Sequence, residues 1–346
     1  MKTNNKKIKV AIVGATGYTG AELIKVLLNH NHVEITSLTA KIESESKISD
    51  IFGKFLGQCD LMCKNLDVDE VAKNADLVFL ALPHGVSMHY ADAFLKKGLK
   101  VIDLSADYRL KSLEEYTKWY NIKHKDVDNI AKSVYGLPEI YRKEIKNAEL
   151  IANPGCYPTV SILSTLPAVA KNDIGLADVI IDAKSGITGA GRKAVLSLHY
   201  SEVNESVKAY KINEHQHIPE INQELSNADG NNFEVSFIPH VVPLNRGILA
   251  TCYIKYREKL DANEIYNLYK EYYKDEPFVK VLDKDKLPEI KDVVNTNFCH
   301  LGIKVDEDKG LVVAIGVIDN LLKGASGQAV QNMNIMCGFN EEEGLI

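Results

Sequence analysis

The chain has 346 residues, 45% hydrophobic and 25% charged, so one large or two ordinary globular domains are expected. A net charge of -6, without interleaved basic and aromatic residues, excludes a nucleic-acid partner. Apolar runs such as LVFLAL are too short to span a bilayer, and no signal-type apolar region follows the basic N-terminus. We therefore expect a cytoplasmic protein with no membrane association.

Strand and helix patterns alternate through the first 150 residues. Strand-like apolar runs lie at 7–15, 33–40, 75–82 and 100–107, and helical patterns lie at 21–30 and 86–98. This alternation predicts right-handed crossovers and a doubly wound parallel sheet.

The first strand runs into GATGYTG, in which Gly14, Gly17 and Gly20 are spaced three apart. A strand before and an amphipathic helix after the loop are the context of a dinucleotide fingerprint, where the glycines allow close backbone approach and the helix N-terminus faces a pyrophosphate. A plain glycine-rich turn is the alternative. We expect the loop residues to bind a dinucleotide, including Thr16, Tyr18 and Thr19.

The end of the second strand bears on the choice between NAD and NADP. NAD sites usually place an acid there, on the ribose 2′-hydroxyl. Ser37, Thr39 and Lys41 stand in that region and suit a 2′-phosphate better, although Glu43 and Glu45 follow closely. The pattern favours NADP(H), and an ordinary polar loop is the alternative.

Ligands bind at the carboxyl ends of strands in such sheets. Leu82 and Pro83 stand at the end of the third run, and Ser105 stands near the end of the fourth. His84 is either part of this edge or a turn residue, and the sequence leaves both open.

The stretch IANPGCYPT places Cys156 between a sharp turn and a predicted helix start. A helix N-terminus stabilises a thiolate, and its N–H groups can hold an oxyanion, so a nucleophile is one interpretation. The other interpretation is that Cys156 is a small buried residue that packs at the corner between strand and helix. The remaining cysteines form no CxxC pair and are interpreted as reduced, mostly buried thiols.

From residue 177 onward, long strand-like runs with few helices predict an antiparallel sheet with one covered face. These runs lie at 234–242, 248–258, 299–308 and 310–319. A hairpin turn is expected at 308–310, and the tail GASGQAVQNMNIMCGF has a helical pattern.

A nucleophilic cysteine needs an acid–base partner, and the segment NEHQHIPE offers His215 and His217 on one face. A zinc site would need a third ligand, for which Glu220 or His240 is available. Cysteine–histidine catalysis needs no metal and also explains Cys156. We therefore favour His217 as the acid–base, with no metal, and leave the role of His215 open.

Only five residues of the chain are arginines, and three of them stand beside glycine or strand-end motifs. These are Arg109 in SADYR, Arg192 in SGITGAGR and Arg246 in PLNRGI. Because arginine forms a planar fork for carboxylate or phosphate, this placement indicates an anionic substrate.

The motifs GATGYTGAEL, LPHG, DLSADYR, NPGCYPT, SGITGAGR, HxHIPEI, HVVPLNRGI and NLLKGASGQAVQN occur in this order over nearly the whole chain. Together they resemble the N-acetyl-γ-glutamyl-phosphate reductases of arginine biosynthesis. The resemblance implies an N-terminal Rossmann domain (1–155, completed by a helix at about 320–346) and a catalytic and dimerisation domain (156–319). The second domain would be an α+β fold like that of glyceraldehyde-3-phosphate dehydrogenase, and the protein a homo-oligomer, a dimer or tetramer.

The resemblance also implies the chemistry. NADPH would reduce N-acetyl-γ-glutamyl phosphate to N-acetyl-glutamate-5-semialdehyde and phosphate, through a thioester on Cys156, with His217 as acid–base. Gly186, Gly189 and Asn320 would line the cofactor, and the candidates for substrate contacts are Ser105, Arg109, Asn153, Arg192, Glu220 and Arg246. The alternatives are a related reductase acting on aspartyl phosphate or an aminoadipate derivative, and a non-catalytic NADP-sensing protein.

Overall fold

The computed structural model describes residues 7–171, 175–230 and 232–346, which divide into two compact units. The first unit comprises Met1–Pro154 and Ala325–Ile346, and the second comprises Gly155–Gly324. No helix in the described ranges is both long enough and apolar enough to cross a membrane.

The described residues of the first unit form an eight-stranded sheet in the order β3-β4-β2-β1-β5-β6-β8-β7. The strands are β1 (Ile8–Val13), β2 (Val33–Thr39), β3 (Ser46–Lys47), β4 (Met62–Lys64), β5 (Leu77–Leu80), β6 (Lys100–Asp103), β7 (Val134–Tyr135) and β8 (Leu150–Ala152). Every pairing is parallel except that of β3 with β4, so the predicted parallel sheet is confirmed. All four residues of β5 are buried, as expected for a strand covered on both faces.

Seven α-helices of this unit lie between residues 7 and 154. They are α1 (Tyr18–Leu27), α2 (Ile48–Ile51), α3 (Val68–Asn74), α4 (Ala91–Lys96), α5 (Leu113–Tyr120), α6 (Val127–Ile130) and α7 (Pro138–Asn147). The single helix expected at 86–98 is wrong, because a 3₁₀ turn at Ser87–His89 precedes α4 and the non-helical Tyr90 separates the two. Asp107 accepts the backbone N–H of Gly85 and of Met88, and this stabilises the separate turn.

The second unit carries a seven-stranded sheet within its described residues, in the order β10-β11-β9-β12-β15-β14-β13. The strands are β9 (Leu176–Ser185), β10 (Lys208–Ala209), β11 (Ser236–Val241), β12 (Ile248–Tyr256), β13 (Val279–Val281), β14 (Cys299–Asp306) and β15 (Leu311–Ile318). The helices are α8 (Cys156–Ala170), α9 (Tyr200–Val203), α10 (Ile218–Asp229) and α11 (Ala262–Tyr272). Strands β14 and β15 form the hairpin expected at 308–310.

The expectation of an antiparallel sheet is only partly right. The central strands β9, β12, β15 and β14 are antiparallel, but β11 lies parallel to β9 and β13 lies parallel to β14. The chain between β9 and β11 includes α10, which gives it the length that a parallel crossover needs. Alternation of buried and exposed residues is the same in both directions, so the sequence pattern alone does not reveal this pairing.

The chain ends in α12 (Gly327–Cys337), preceded by a π-helical turn at Leu322–Ser326. Within the first unit, α12 packs on α1 and α7, and all its residues from Gly327 to Met336 are buried. The helical expectation for the tail is confirmed, and the buried residues of this helix include four amides, Gln328, Gln331, Asn332 and Asn334.

Candidate active site

Cys156 is the first residue of α8 and is partly exposed. Its N-cap is Gly155, which has no side chain to cap the helix, so the N–H groups of the first turn are not used by a capping side chain. Gly324 packs directly on this corner: a Cβ built there would lie 2.8 Å from Cβ of Cys156. A thiol at this position experiences the positive end of the helix dipole, as the sequence predicted.

Glu220 links the start of α8 to the start of α10. Its carboxylate is buried, with 1% of the residue exposed, and Oε1 accepts the backbone N–H of Gly155 over 2.8 Å. His217 is the N-cap residue of the same helix, α10, one turn before Glu220. The bond therefore joins the helix start that carries Cys156 to the helix start that carries His217. Sequence reasoning placed Glu220 on the substrate, whereas this oxygen binds the backbone.

An aromatic cluster surrounds the two histidines. The ring of Tyr157, next to Cys156, lies 5.5 Å from the His215 ring and 6.1 Å from the His217 ring. The Tyr210 hydroxyl donates to the Tyr157 hydroxyl, which donates to the backbone oxygen of His240. Burial raises the pKa of Tyr157, and burial and the charge of Cys156 raise the pKa of Tyr210 to about 12, so both phenols stay neutral. The sequence analysis missed both tyrosines, although Tyr157 adjoins the cysteine.

Two loops of the second unit are braced by Asn320, which is buried. Its side-chain oxygen accepts the N–H of Gly247 over 2.7 Å, and its amide donates to the Thr188 hydroxyl over 3.0 Å. Gly186 lies against the same region: a Cβ there would lie 2.9 Å from the backbone of Asn245. Gly189 is exposed beside this contact. The expectation that Asn320, Gly186 and Gly189 line the cofactor stays a prediction.

The three predicted anion-binding arginines have different surroundings. Arg246 forms a double contact with the fully buried Asp319, with Nη2 donating to Oδ1 over 3.1 Å and Nε 2.9 Å from Oδ2. Arg192 is exposed in the loop after β9. Arg109 is buried in the first unit, where Nε donates to the carbonyl of Asn153 and Nη2 to that of Leu104. Asp319 was missed, and only its position at the end of a strand could have indicated it.

Ser105 and Asn153, both expected to contact substrate, are also buried in the first unit. The Ser105 hydroxyl donates to Oδ2 of Asp103 over 2.7 Å. The Asn153 amide donates to the carbonyl of Ala325, and its oxygen accepts from Asn332. These bonds brace the carboxyl ends of β6 and β8. His84, left open between an edge and a turn residue, accepts the N–H of Ala106 on Nδ1.

The glycine loop fits a dinucleotide. Gly14 has φ +94°, and a Cβ there would lie 2.1 Å from the carbonyl oxygen of Ala81, while a Cβ at Gly20 would lie 2.4 Å from that of Gly14. A Cβ at Gly17 would meet only one atom, at 3.5 Å, so the loop leaves room over this residue. The loop runs directly into α1, which begins at Tyr18 and so includes Thr19 as well.

The predicted 2′-phosphate region follows β2. Thr39 is buried, and its hydroxyl is without a hydrogen-bond partner within the described part of the chain. Ser37 is half-buried and Lys41 is exposed just after the strand. An unpaired buried hydroxyl here fits a polar ligand group. Leu82 and Pro83 follow β5, where Leu82 is half-buried and Pro83 exposed. Across the described ranges, no cluster of three or more His, Cys, Asp or Glu side chains could hold a metal ion.

Family and structural comparisons show the class of protein to which this chain belongs. Residues 9–148 match the NAD-binding domain of semialdehyde dehydrogenases, and residues 156–320 match their dimerisation domain. Aspartate semialdehyde dehydrogenase II from Vibrio cholerae and the Candida albicans enzyme solved with NADP both superpose with a TM-score of 0.73. Each match covers 96% of this chain and 99% of the other at 16% identity, which establishes the shared fold.

Relatives identified by sequence define the family more narrowly than the shared fold does. The N-acetyl-γ-glutamyl-phosphate reductase of Pelotomaculum thermopropionicum is 47% identical over 338 residues, which is 98% of this chain and 97% of the relative. That of Citrifermentans bemidjiense is 48% identical over 339 residues, with 98% of both chains covered. The chain therefore belongs to the N-acetyl-γ-glutamyl-phosphate reductase family. The family resemblance and the fold class expected from the sequence are confirmed, and aspartate semialdehyde dehydrogenase is a distant structural relative.

Proposed function

We propose that this chain reduces N-acetyl-γ-glutamyl phosphate to N-acetyl-glutamate-5-semialdehyde and phosphate through a thioester on Cys156. The family assignment supports the overall reaction, and NADP(H) is the cofactor. The observation that carries the mechanism is the bond between Gly155 and Glu220, which holds the helix start bearing Cys156 beside the one bearing His217.

In the first half-reaction, Cys156 acts as the nucleophile. Its Sγ forms a bond to the acyl carbon of the substrate, and the bond from that carbon to the phosphate oxygen breaks. Phosphate leaves with the electron pair. The first-turn N–H groups of α8 lie where they stabilise both the attacking thiolate and the oxyanion of the tetrahedral intermediate. Dividing the reduction into acyl transfer and thioester reduction replaces one difficult step with two easier ones.

In the second half-reaction, the glycine loop and the residues after β2 would hold NADPH, which would supply the hydride for reduction of the thioester carbon. His217 holds the proton that moves on and off the oxygen of the resulting thiohemiacetal. As that intermediate collapses, the carbon–sulfur bond breaks and its electron pair returns to Sγ of Cys156. The aldehyde product and a free thiolate remain, so the residues are ready for another cycle.

The acyl phosphate carries an α-carboxylate and a phosphoryl group, and arginine suits both anions. We assign Arg192 and Arg246 to these contacts in the second unit. Asp319 holds the Arg246 guanidinium in a fixed orientation, which supports a role in positioning one anion. For Arg109, Nε and Nη2 donate to backbone carbonyls, which fixes the orientation of its guanidinium group in the first unit.

The assembly proposed here is a homodimer formed through the open face of the second sheet. Helices α8 and α11 pack on β12, β15 and β14. On the other face, Tyr253 pairs across the sheet with Ile180 and Val313, with 37% of Tyr253 and 38% of Ile180 exposed. An apolar row of this kind is typical of a self-complementary interface, and the matched family domain is described as a dimerisation domain.

Light scattering on a sizing column tests the assembly. We expect a dimer for the wild type and a monomer for Tyr253→Glu and Ile180→Glu, because a buried unpaired charge opposes association. Leu56→Glu is the matched control, since Leu56 is a 76%-exposed apolar residue of the first unit, and it should remain dimeric. A monomeric wild type, or dimeric Tyr253 and Ile180 variants, would rule out this interface.

Phosphate-dependent NADP⁺ reduction tests the reaction itself. N-acetyl-glutamate-5-semialdehyde should support turnover that requires inorganic phosphate, and aspartate semialdehyde should not. A folded, NADPH-binding enzyme that prefers aspartate semialdehyde would overturn the substrate. NADPH binding without turnover on either aldehyde would favour a sensing protein.

A further inference from the structure

His215 has no role in the reaction described above, although its ring contacts four other rings. Its ring lies 4.7 Å from the His217 ring and makes edge contacts at 5.5 Å with Tyr157, 5.6 Å with Tyr210 and 5.5 Å with Phe237. These contacts fix the ring plane from several sides.

Nδ1 of His215 accepts the backbone N–H of His217 over 3.1 Å. A nitrogen that accepts a hydrogen bond carries no proton, so this bond requires the neutral tautomer of His215 that has its proton on Nε2. The carbonyl of His215 also accepts the N–H of Ile218, the first residue of α10. His215 therefore holds the backbone on both sides of the His217 Cα, at the point where helix α10 begins.

We propose that His215 is a positioning residue, whose Nδ1 and ring hold the acid–base His217 in its working orientation. Protonation of His215 would replace the acceptor with a donor and place two N–H groups against each other, so His215 is unsuited to exchange protons with substrate. The inference rests on the proposed function, because it gives His217 the proton-transfer role.

The same local bond occurs twice more among the residues that the structure describes. Nδ1 of His30 accepts the N–H of His32, and Nδ1 of His124 accepts the N–H of Asp126. The bond is thus a recurrent turn in this protein, similar to an Asx turn, and it does not by itself indicate catalysis. What distinguishes His215 is that the residue it holds is His217.

Three substitutions separate the hydrogen bond from the packing. Oδ1 of asparagine follows Cγ just as Nδ1 of histidine does, so His215→Asn keeps the acceptor without the ring. His215→Phe keeps the ring without the acceptor, and His215→Ala removes both. His30→Asn and His30→Ala form the matched control, because they change the same turn in the first unit.

Steady-state kinetics with the acyl phosphate and NADPH provide the first readout. We expect kcat to fall by about 10²-fold in the Phe and Ala variants, the usual effect of misplacing a catalytic group by about 1 Å. KM should stay within about twofold, and His215→Asn should recover at least about tenfold in kcat over Ala. The His30 variants should change thermal stability without changing kcat. If the Ala variant fails to fold, the comparison of kcat between His215→Asn and His215→Phe still shows whether the acceptor or the ring is required.

Three kinetic outcomes would overturn the inference. Full kcat in His215→Ala would remove any role for the residue. A Phe variant more active than Asn would assign it to packing alone. Loss of turnover in all three variants, together with loss of one limb of the pH–rate profile and an active His217→Ala enzyme, would make His215 the acid–base.

Nitrogen NMR of ¹⁵N-histidine-labelled enzyme gives a readout that does not need turnover, with His215→Asn used to assign the signal. We expect the neutral ring of His215 to carry its proton on Nε2 and to have a bare Nδ1. A proton on Nδ1 would refute the proposal even if the wild type turned over no acyl phosphate. Absence of wild-type turnover with the expected tautomer would instead refute the proposed reaction.

Discussion

Glu220 accepts the N–H of Gly155 over 2.8 Å, and this one bond spans the two helix starts that carry the proposed nucleophile and acid–base. Gly155 is the N-cap of α8, and Glu220 lies in the first turn of α10. A shift of either helix along its axis would break the bond and separate the reacting groups. The reaction geometry therefore depends on a residue that the sequence analysis placed on the substrate.

The role of Glu220 predicts that its replacement by alanine is more damaging than its replacement by glutamine. Glu220→Ala leaves the Gly155 N–H buried without this acceptor, which should cost about 1–3 kcal/mol of unfolding free energy and lower kcat by about 10²-fold. Glu220→Gln keeps an oxygen acceptor and should retain most of the unfolding free energy and most of the wild-type kcat. Chemical denaturation and steady-state kinetics measure the effects. Glu224→Gln, at the next buried carboxylate of α10, is the control. Equal kcat in the Ala and wild-type enzymes would contradict this role.

Alanine at two glycines of the nucleotide loop should have different effects. Gly14→Ala places a Cβ 2.1 Å from the Ala81 oxygen at φ +94°, and backbone strain alone costs about 1–3 kcal/mol. Gly17→Ala meets only one protein atom, at 3.5 Å, so stability should stay within about 0.5 kcal/mol of wild type. NADPH affinity should nevertheless fall at least about tenfold in Gly17→Ala, because the Cβ occupies cofactor space. Unchanged NADPH binding in a fluorescence titration of this variant would place the cofactor elsewhere.

The thiols of the folded chain should differ sharply in reactivity. Burial raises the pKa of Cys63 to about 11 and that of Cys252 to about 12. Burial likewise raises the pKa of Cys337 to about 11, so all three are protonated at pH 8. Brief treatment with iodoacetamide at pH 8 should therefore modify Cys156 first, and peptide mapping identifies the site. Modification of Cys252 in folded protein before Cys156 would argue against an activated thiol at the helix start.

Asp103 should make stability depend on pH. Burial, with a contribution from the charge of Asp107, raises its pKa from 3.8 to about 7. Below pH 3.8 the carboxyl is protonated in both the folded and unfolded states, and the unfolded state loses the proton first as pH rises. Wild type should therefore lose stability relative to Asp103→Asn, by roughly 2–3 kcal/mol between pH 5 and 8.

Urea denaturation of both proteins at each pH measures that difference. Asp69→Asn is the control, because the hydrogen bond and charge of Lys97 lower the pKa of the exposed Asp69, and it stays ionised throughout this range. A difference between wild type and Asp103→Asn that stays constant from pH 5 to 8 would show that Asp103 is already ionised at pH 5.

Local sequence patterns predicted the helices and strands better than they predicted which strands pair and which side chains meet. The glycine loop and the helix start at Cys156 follow from short-range backbone requirements, so they could be read from the sequence. The parallel pairing of β11 with β9 depends on the path of α10, which strand periodicity does not encode. Arg109, Asn153 and Ser105 follow strand ends as expected, but their buried bonds to backbone and side-chain partners depend on tertiary packing. The contacts of Asp319 and Tyr210 depend on how the loops fold, and only the strand-end position of Asp319 offered a local signal in the sequence.

The covalent intermediate is the central claim, and intact-protein mass spectrometry tests it most directly. Enzyme mixed with N-acetyl-γ-glutamyl phosphate, without NADPH, should gain the mass of one N-acetylglutamyl group per chain and release one phosphate. Peptide mapping should place the group on Cys156, and Cys156→Ala should gain nothing while still binding NADPH. An unmodified wild type that turns over rapidly once NADPH is added would contradict the thioester mechanism.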